Sequence, residues 1–183
     1  MVGWSYHHDR DLNGFIDGTE NPPLMEAMRV ALIPLGLAGD GGSILLLQQW
    51  EHNAVDWEQL PVATQEGFIG RRKADSAELD PLPPASHVAR TDQERLGKVF
   101  RRNIAYGTLT RHGTIFAGFS HDQGTLRTML ESMLGADGGP PDELLAVTRQ
   151  LTGPYCVIPS VDAPAAFDEH LVAMPVVGVE HGE

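Results

Sequence analysis

The sequence predicts an α+β sandwich, with helices packed on one face of a sheet. Three observations point there. Two apolar runs, Ser43–Trp50 (SILLLQQW) and Gly113–Ser120 (GTIFAGFS), have the length and composition of buried strands. Between and after them lie stretches with helical periodicity, the clearest over Asp122–Leu134. Sparse strands separated by helices suit a layered α+β arrangement better than a parallel α/β one.

Taken in order, residues 1–23 read as an irregular polar arm. A short helix is expected over 24–33, and Gly39-Asp40-Gly41-Gly42 marks a turn before the first strand. Asp56–Leu60 starts a helix, and Pro61 opens a second one at its first turn. Residues 74–85, rich in proline and acid, form a loop. Val88–Arg90 and Asn103–Tyr106 are read as short, irregular elements. In Asp122–Leu134 the residues Leu126, Met129, Leu130, Met133 and Leu134 share one face, Asp122 is a natural N-cap, and Gly135 ends the helix. A second short helix is expected over Asp142–Gln150, then a last strand over Tyr155–Ile158.

Composition excludes several functions. At 183 residues the chain suggests a single domain with a sizeable core. A net charge of −12 argues against nucleic acid and anionic membranes as partners. No apolar run approaches the ~20 residues that span a bilayer. The first residues, MVGWSYHHDRD, lack the basic and apolar regions of a signal peptide. The lone Cys156 rules out an internal disulfide, fits a reducing compartment, and lies in an apolar run as a small hydrophobe.

The segment Gly14-Phe15-Ile16-Asp17-Gly18-Thr19-Glu20-Asn21-Pro22 carries the strongest functional signal. It holds one acid between two glycines beside turn formers, so it reads either as an Asx-type turn or as a loop aiming one carboxylate. It resembles the GxxDG motif of the dye-decolorizing peroxidases, a haem family. The likeness continues in order through Trp50-Glu51-His52-Asn53, Trp57, Gln65-Glu66, Gly70-Arg71-Arg72-Lys73, Ser86-His87-Val88, Arg101-Arg102-Asn103, Tyr106-Gly107, Phe116, Thr152-Gly153 and Pro159-Ser160. Dispersed but collinear motifs over residues 9–160 are far more specific than any one alone, and the pattern is nearest to the family's bacterial, cytoplasmic branch.

The resemblance implies a ferredoxin-like fold of the dimeric α+β barrel superfamily, an antiparallel sheet with helices on one face. Residues 1–23 would be an arm bearing the GxxDG motif and 24–183 a haem-binding domain. The family's N-terminal domain is expected to be absent, because the motif lies near the junction of its two domains. A homo-oligomer is expected, since a lone domain leaves sheet surface uncovered.

The same likeness implies a haem b peroxidase that reduces H2O2 and oxidises dyes, phenols or similar one-electron donors. The alternative is a truncated relative that holds haem weakly or not at all and is a non-catalytic binding or assembly module or a remnant. His87 is the candidate iron ligand; without the motif a lone loop histidine reads as structural or solvated. Asp142, ten residues before Thr152, is the candidate acid behind it, or else a helix N-cap after Pro141. Asp17 would carry a proton, Arg101 would stabilise developing negative charge, and Asn103 would order distal water. Arg101 also belongs to a basic run with Arg95, Lys98 and Arg102, whose plain reading is surface charge. Arg71 is the candidate partner for a haem propionate, with Arg72 and Lys73 expected in solvent. Phe116 matches an apolar residue over the distal haem face, and Thr114 lies two positions earlier where the family has leucine. His52 is expected to pack or hydrogen-bond, and His112 and His121 to lie in turns or at the surface. The gaps Arg71–His87 and His87–Arg101, 16 and 14 residues, are shorter than the family pattern, as loop deletion would make them. Trp50, Trp57, Tyr106 and Tyr155 read as core aromatics rather than electron relays.

Overall fold

A computed structural model describes residues 10–108 and 110–162. His7, His8, His170, His181 and the Val176–Glu183 tail lie outside the described residues.

Five strands form one antiparallel sheet: β1 (Ser43–His52), β2 (Phe100–Gly107), β3 (His112–Ser120), β4 (Thr148–Thr152) and β5 (Tyr155–Ile158). The order is β2-β3-β1-β4, and β5 also pairs with β1. One edge of β1 takes β3 along its length, from Ile44 opposite Ser120 to Glu51 opposite Gly113. Its other edge is shared end to end, β5 beside Ser43–Leu46 and β4 beside Gln49–His52. This sheet is open. Among the described residues β2 pairs with β3 alone, and β4 and β5 pair with β1 alone, so the edges never meet. The barrel expectation is therefore corrected. Closure needs strand tilt and stagger that bring the last strand to the first, and here helices and a cavity occupy the space on one face instead.

Among the described residues six α-helices join the strands: α1 (Leu24–Ala31), α2 (Ala54–Gln59), α3 (Val62–Ile69), α4 (His87–Arg90), α5 (Gln93–Leu96) and α6 (Gln123–Met133). The caps explain their starts. Asp122 accepts from the amides of Gly124 and Thr125 at 3.1 and 2.9 Å, and Asn53 and Ser86 accept from Asp56 and Ala89. The helix expected over Asp142–Gln150 is instead a 3-10 turn at Glu143–Ala146 followed by β4. The free edge of β1 offers Thr148–Thr152 a ladder, and pairing overrides weak local helix propensity. Likewise Asn103–Tyr106 belongs to a full eight-residue strand because β3 pairs all of it.

Alternation along the strands sorts the two faces. Leu46, Gln48, Trp50 and His52 share the inner face with Arg101, Asn103, Thr114 and Phe116. There Leu46, Val99, Leu126 and Met129 form one core cluster, tying α6 to the sheet. A second cluster, Phe15, Trp57, Ile69 and Val147, holds the N-terminal loop against α2 and α3. Burying each such side chain contributes roughly 1.5–3 kcal/mol. The outer face carries Leu45, Leu47, Ile104, Ile115, Phe119 and the half-buried Cys156. Among the described residues no helix is long and apolar enough to cross a membrane.

Candidate active site

Between the inner sheet face and α3, α4 and α6 lies a cavity of about 660 Å³. That is within the ordinary size range of a small-molecule or cofactor site. His87, Asp17, Arg101, Asn103, Phe116, Thr114 and Arg71 all line it; of the sequence-predicted residues, Asp142 alone sits behind the wall.

His87 is the first residue of α4, fixed by the Ser86 cap, and Ser86 is fully buried. Its Nδ1 meets Asp142 Oδ2 at 2.7 Å, and Asp142 is 2% exposed. The other oxygen, Oδ1, accepts from the Leu144 amide at 2.9 Å. Thus the two readings of Asp142, acid behind His87 and cap of a helical turn, coexist on one carboxylate. Its backbone is fixed as well: its N–H donates to Met133, and the Glu143 amide donates to Ala85. A carboxylate can only accept, so Nδ1 is the donor, and in the neutral ring the lone pair lies on Nε2.

Asp17 sits in a turn that needs glycine at both sides, since Gly14 and Gly18 have φ of +85° and +73°. Phe15 is buried edge-on to Trp57, ring centroids 6.2 Å apart, and Trp57 Nε1 donates to Asn13 O at 3.0 Å. Asp17 Oδ1 accepts from the Gly18 amide at 2.7 Å and from Asn103 Nδ2 at 3.1 Å. A contact the sequence did not announce locks this loop to the sheet. Asn21 behaves like an extra strand residue: Oδ1 accepts from the Arg101 amide and Nδ2 donates to Arg101 O, both at 2.9 Å. Nothing in a single Asn-Pro pair signals such a bond to a residue eighty positions away.

Arg101 reaches into the cavity, and its Nε has no hydrogen-bond partner among the described residues. Burial lowers its hold on its proton, while Asp17 and Glu20 raise it. Arg71 is more committed. It pairs with Glu20 and Glu78 and donates to Ser76 O at 2.9 Å, leaving its buried Nε without a partner.

Thr114, 5% exposed, is bonded to His52 Nε2 at 3.1 Å. Burial, and then His112, push the His52 pKa down to about 4, so the ring is neutral near pH 7. His112 opens β3 and lines the cavity rather than a surface turn. Arg72 is solvent-exposed and pairs with Asp75, as expected, but Lys73 is not solvated: it donates to Gln65 at 2.7 Å and lies over the Phe15 ring. Burial raises the Asp11 pKa to about 6; the Leu12 amide opposes this, Asp17 adds to it and His87 opposes it. Sequence reasoning passed over Asp11 and Gln48, both of which line the cavity.

A family model described as "Dyp-type peroxidase, C-terminal" matches residues 8–163. The dye-decolorizing peroxidase of Brevibacterium linens is 33% identical over 172 residues, covering 87% of this chain and 46% of its own length. That of Mycobacterium tuberculosis is 35% identical over 183 residues, covering 94% and 53%. Among solved structures, the dye-decolorizing protein from V. cholerae superposes with a TM-score of 0.79 at 42% identity, over 86% of this chain and 54% of that one. A variant of DypB from Rhodococcus jostii RHA1 in complex with heme gives 0.78 at 34% identity, over 86% and 54%. The chain spans about half the length of the curated relatives it matches.

Proposed function

The chain belongs to the Dyp-type peroxidase family, and we propose that it binds haem b in the 660 Å³ cavity and uses it to reduce H2O2 at the expense of dyes, phenols or similar one-electron donors. The observation that carries this reading is the His87–Asp142 pair at 2.7 Å, opening on a cavity whose sheet side presents Asp17, Asn103 and Arg101.

The residues present fit the group. A haem iron needs only one protein ligand on its proximal side, so the absence of any cluster of three or more metal-ligating side chains among the described residues does not bear on it. The Nε2 lone pair of His87 is the donor, made more basic by the buried carboxylate at Nδ1. Two buried arginine Nε groups without partners, on Arg71 and Arg101, are suited to anionic oxygens. Phe116 offers an apolar surface from β3.

Haem, when bound, supplies the iron at which peroxide is split and the oxidising equivalents that reductants then neutralise. The chain supplies the rest. Asp17 would take and return the peroxide proton; Asn103 and the Gly18 amide both hold its Oδ1, which leaves Oδ2 for that proton. Arg101 would stabilise negative charge on the departing oxygen, and its buried Nε has no partner among the described residues. Asn103 also orders water at that point. Arg71 holds a propionate through its free Nε side. Thr114 lines the cavity with a hydroxyl that His52 engages, which would limit its pull on water.

We further propose a cytoplasmic homo-oligomer: the apolar outer sheet face supports the oligomer, and the lone Cys156 supports a reducing compartment. Titration of the purified chain with hemin, beside His87→Ala, tests the central reading. A saturable Soret band that is lost or shifted in the variant is expected. The same weak spectrum from both would overturn it and favour a non-catalytic binding or assembly module.

A further inference from the structure

Gln48 sits on β1, with Phe116 directly opposite on β3 and Asn103 opposite that on β2. It is 3% exposed and lines the cavity, yet its Nε2 has no hydrogen-bond partner among the described residues. A carboxamide flip does not remove the problem. Trp50 Nε1, a group that can only donate, lies 3.4 Å from Gln48 Oε1, so the oxygen belongs on that side and the N–H groups on the other. Leaving a buried donor unpaired costs roughly 1–3 kcal/mol, and native interiors rarely leave one so.

The surroundings define what would satisfy it. His52 and Thr114, on the same face, are bonded to each other at 3.1 Å and do not compete for a ligand. His52 is neutral near pH 7. Trp50 and Phe116 add aromatic surface on either side along the inner face. Gln48's inner-face neighbours therefore carry no formal charge, in contrast to the guanidinium of Arg101 on β2.

We propose that Gln48 is the anchoring donor of a second subsite in this cavity, one that takes an uncharged aromatic ligand through an acceptor oxygen, a phenol being the simplest. Gln48 Nε2 donates to the oxygen, and the ring lies against Trp50. The subsite goes beyond the haem reading; that reading enters only in making the ligand a reductant.

Calorimetric titration with phenol tests it, using the hemin-loaded chain and Gln48→Met, which keeps the side-chain shape and removes the donor. Phenol affinity is expected to fall about tenfold, the loss of one well-placed hydrogen bond, while hemin affinity stays as in the parent. Gln48→Leu serves if the first variant does not fold. Unchanged phenol binding in a folded variant overturns the subsite. So does a loss of hemin affinity with phenol binding intact, which would assign Gln48 to the haem. Failure of the parent to bind hemin would instead strike the peroxidase reading, and phenol titration of the hemin-free chain would still decide the subsite.

Discussion

Asp142 grips His87 with one carboxylate oxygen and a 3-10 turn with the other, at 2.7 and 2.9 Å. The turn fixes the carboxylate, and the carboxylate fixes the imidazole. Because the Asp142 backbone is itself tied to Met133 and Ala85, the orientation of His87 is set by α6 and by the loop before α4 rather than by its own rotamer freedom.

Asp142→Asn separates the two tasks. The amide oxygen can still cap Leu144, so the fold should survive with a loss within about 1 kcal/mol. The amide nitrogen, however, presents a donor to Nδ1, which moves the imidazole proton to Nε2. Hemin affinity should then drop about 10- to 100-fold. Urea unfolding and Soret titration read the two effects; a variant with unchanged hemin affinity would show that the pair serves structure alone.

Gly118 keeps Phe116 in place. A Cβ at 118 would lie 2.7 Å from the Phe116 Cε1 and 3.3 Å from Leu126 Cδ2. Gly118→Ala must swing the ring off the sheet into the cavity. A stability loss of about 1–3 kcal/mol is expected, together with weaker hemin binding. Chemical denaturation beside hemin titration would check both, and a neutral substitution would mean that the ring has room to move.

The parts of this fold that were legible in the sequence are those encoded locally. The apolar runs of β1 and β3, the face of α6 and the Asp122 cap are all visible within a dozen residues. His87 and Asp142 were singled out by motif order, but that one carboxylate meets both His87 Nδ1 and the Leu144 amide is a fact of two segments 55 residues apart. What was not legible depends on long-range pairing. Thr148–Thr152 looks helical until the free edge of β1 claims it. Lys73 looks solvated until Phe15 folds beneath it. The open sheet is a property of edges that no strand pattern reveals.

Two half-buried titratable groups give the fold opposing pH dependences. Asp11 binds its proton more tightly folded, at about 6, than an ordinary carboxyl does. Its contribution is therefore full below about pH 4 and is lost as pH rises through about 6. His52 holds its proton less tightly folded, at about 4, than an ordinary histidine. Its contribution is present above about pH 6.5 and is lost as pH falls toward 4. In the parent the two partly cancel between pH 4 and 6. Asp11→Asn removes one arm. It should stabilise the hemin-free chain by on the order of 2 kcal/mol at pH 7.5 and by little at pH 4, leaving a steeper loss on the acid side. Urea midpoints at three pH values decide this; an offset independent of pH would sink it.

The outer sheet face should drive self-association. Ile104 is 59% exposed there, on the same face as Leu45, Leu47, Ile115 and Phe119. Exposed contiguous apolar surface of this kind marks interaction sites, and two twisted sheets can stack face to face about 10 Å apart. The chain should elute in sizing chromatography as a dimer or larger. Ile104→Lys sets a charge on the apolar outer face, which a stacked copy would have to desolvate, and should shift the protein toward monomer without changing its hemin spectrum. A parent chain that elutes as a monomer at tens of micromolar would remove the argument, because the face would then be tolerated in water as it stands.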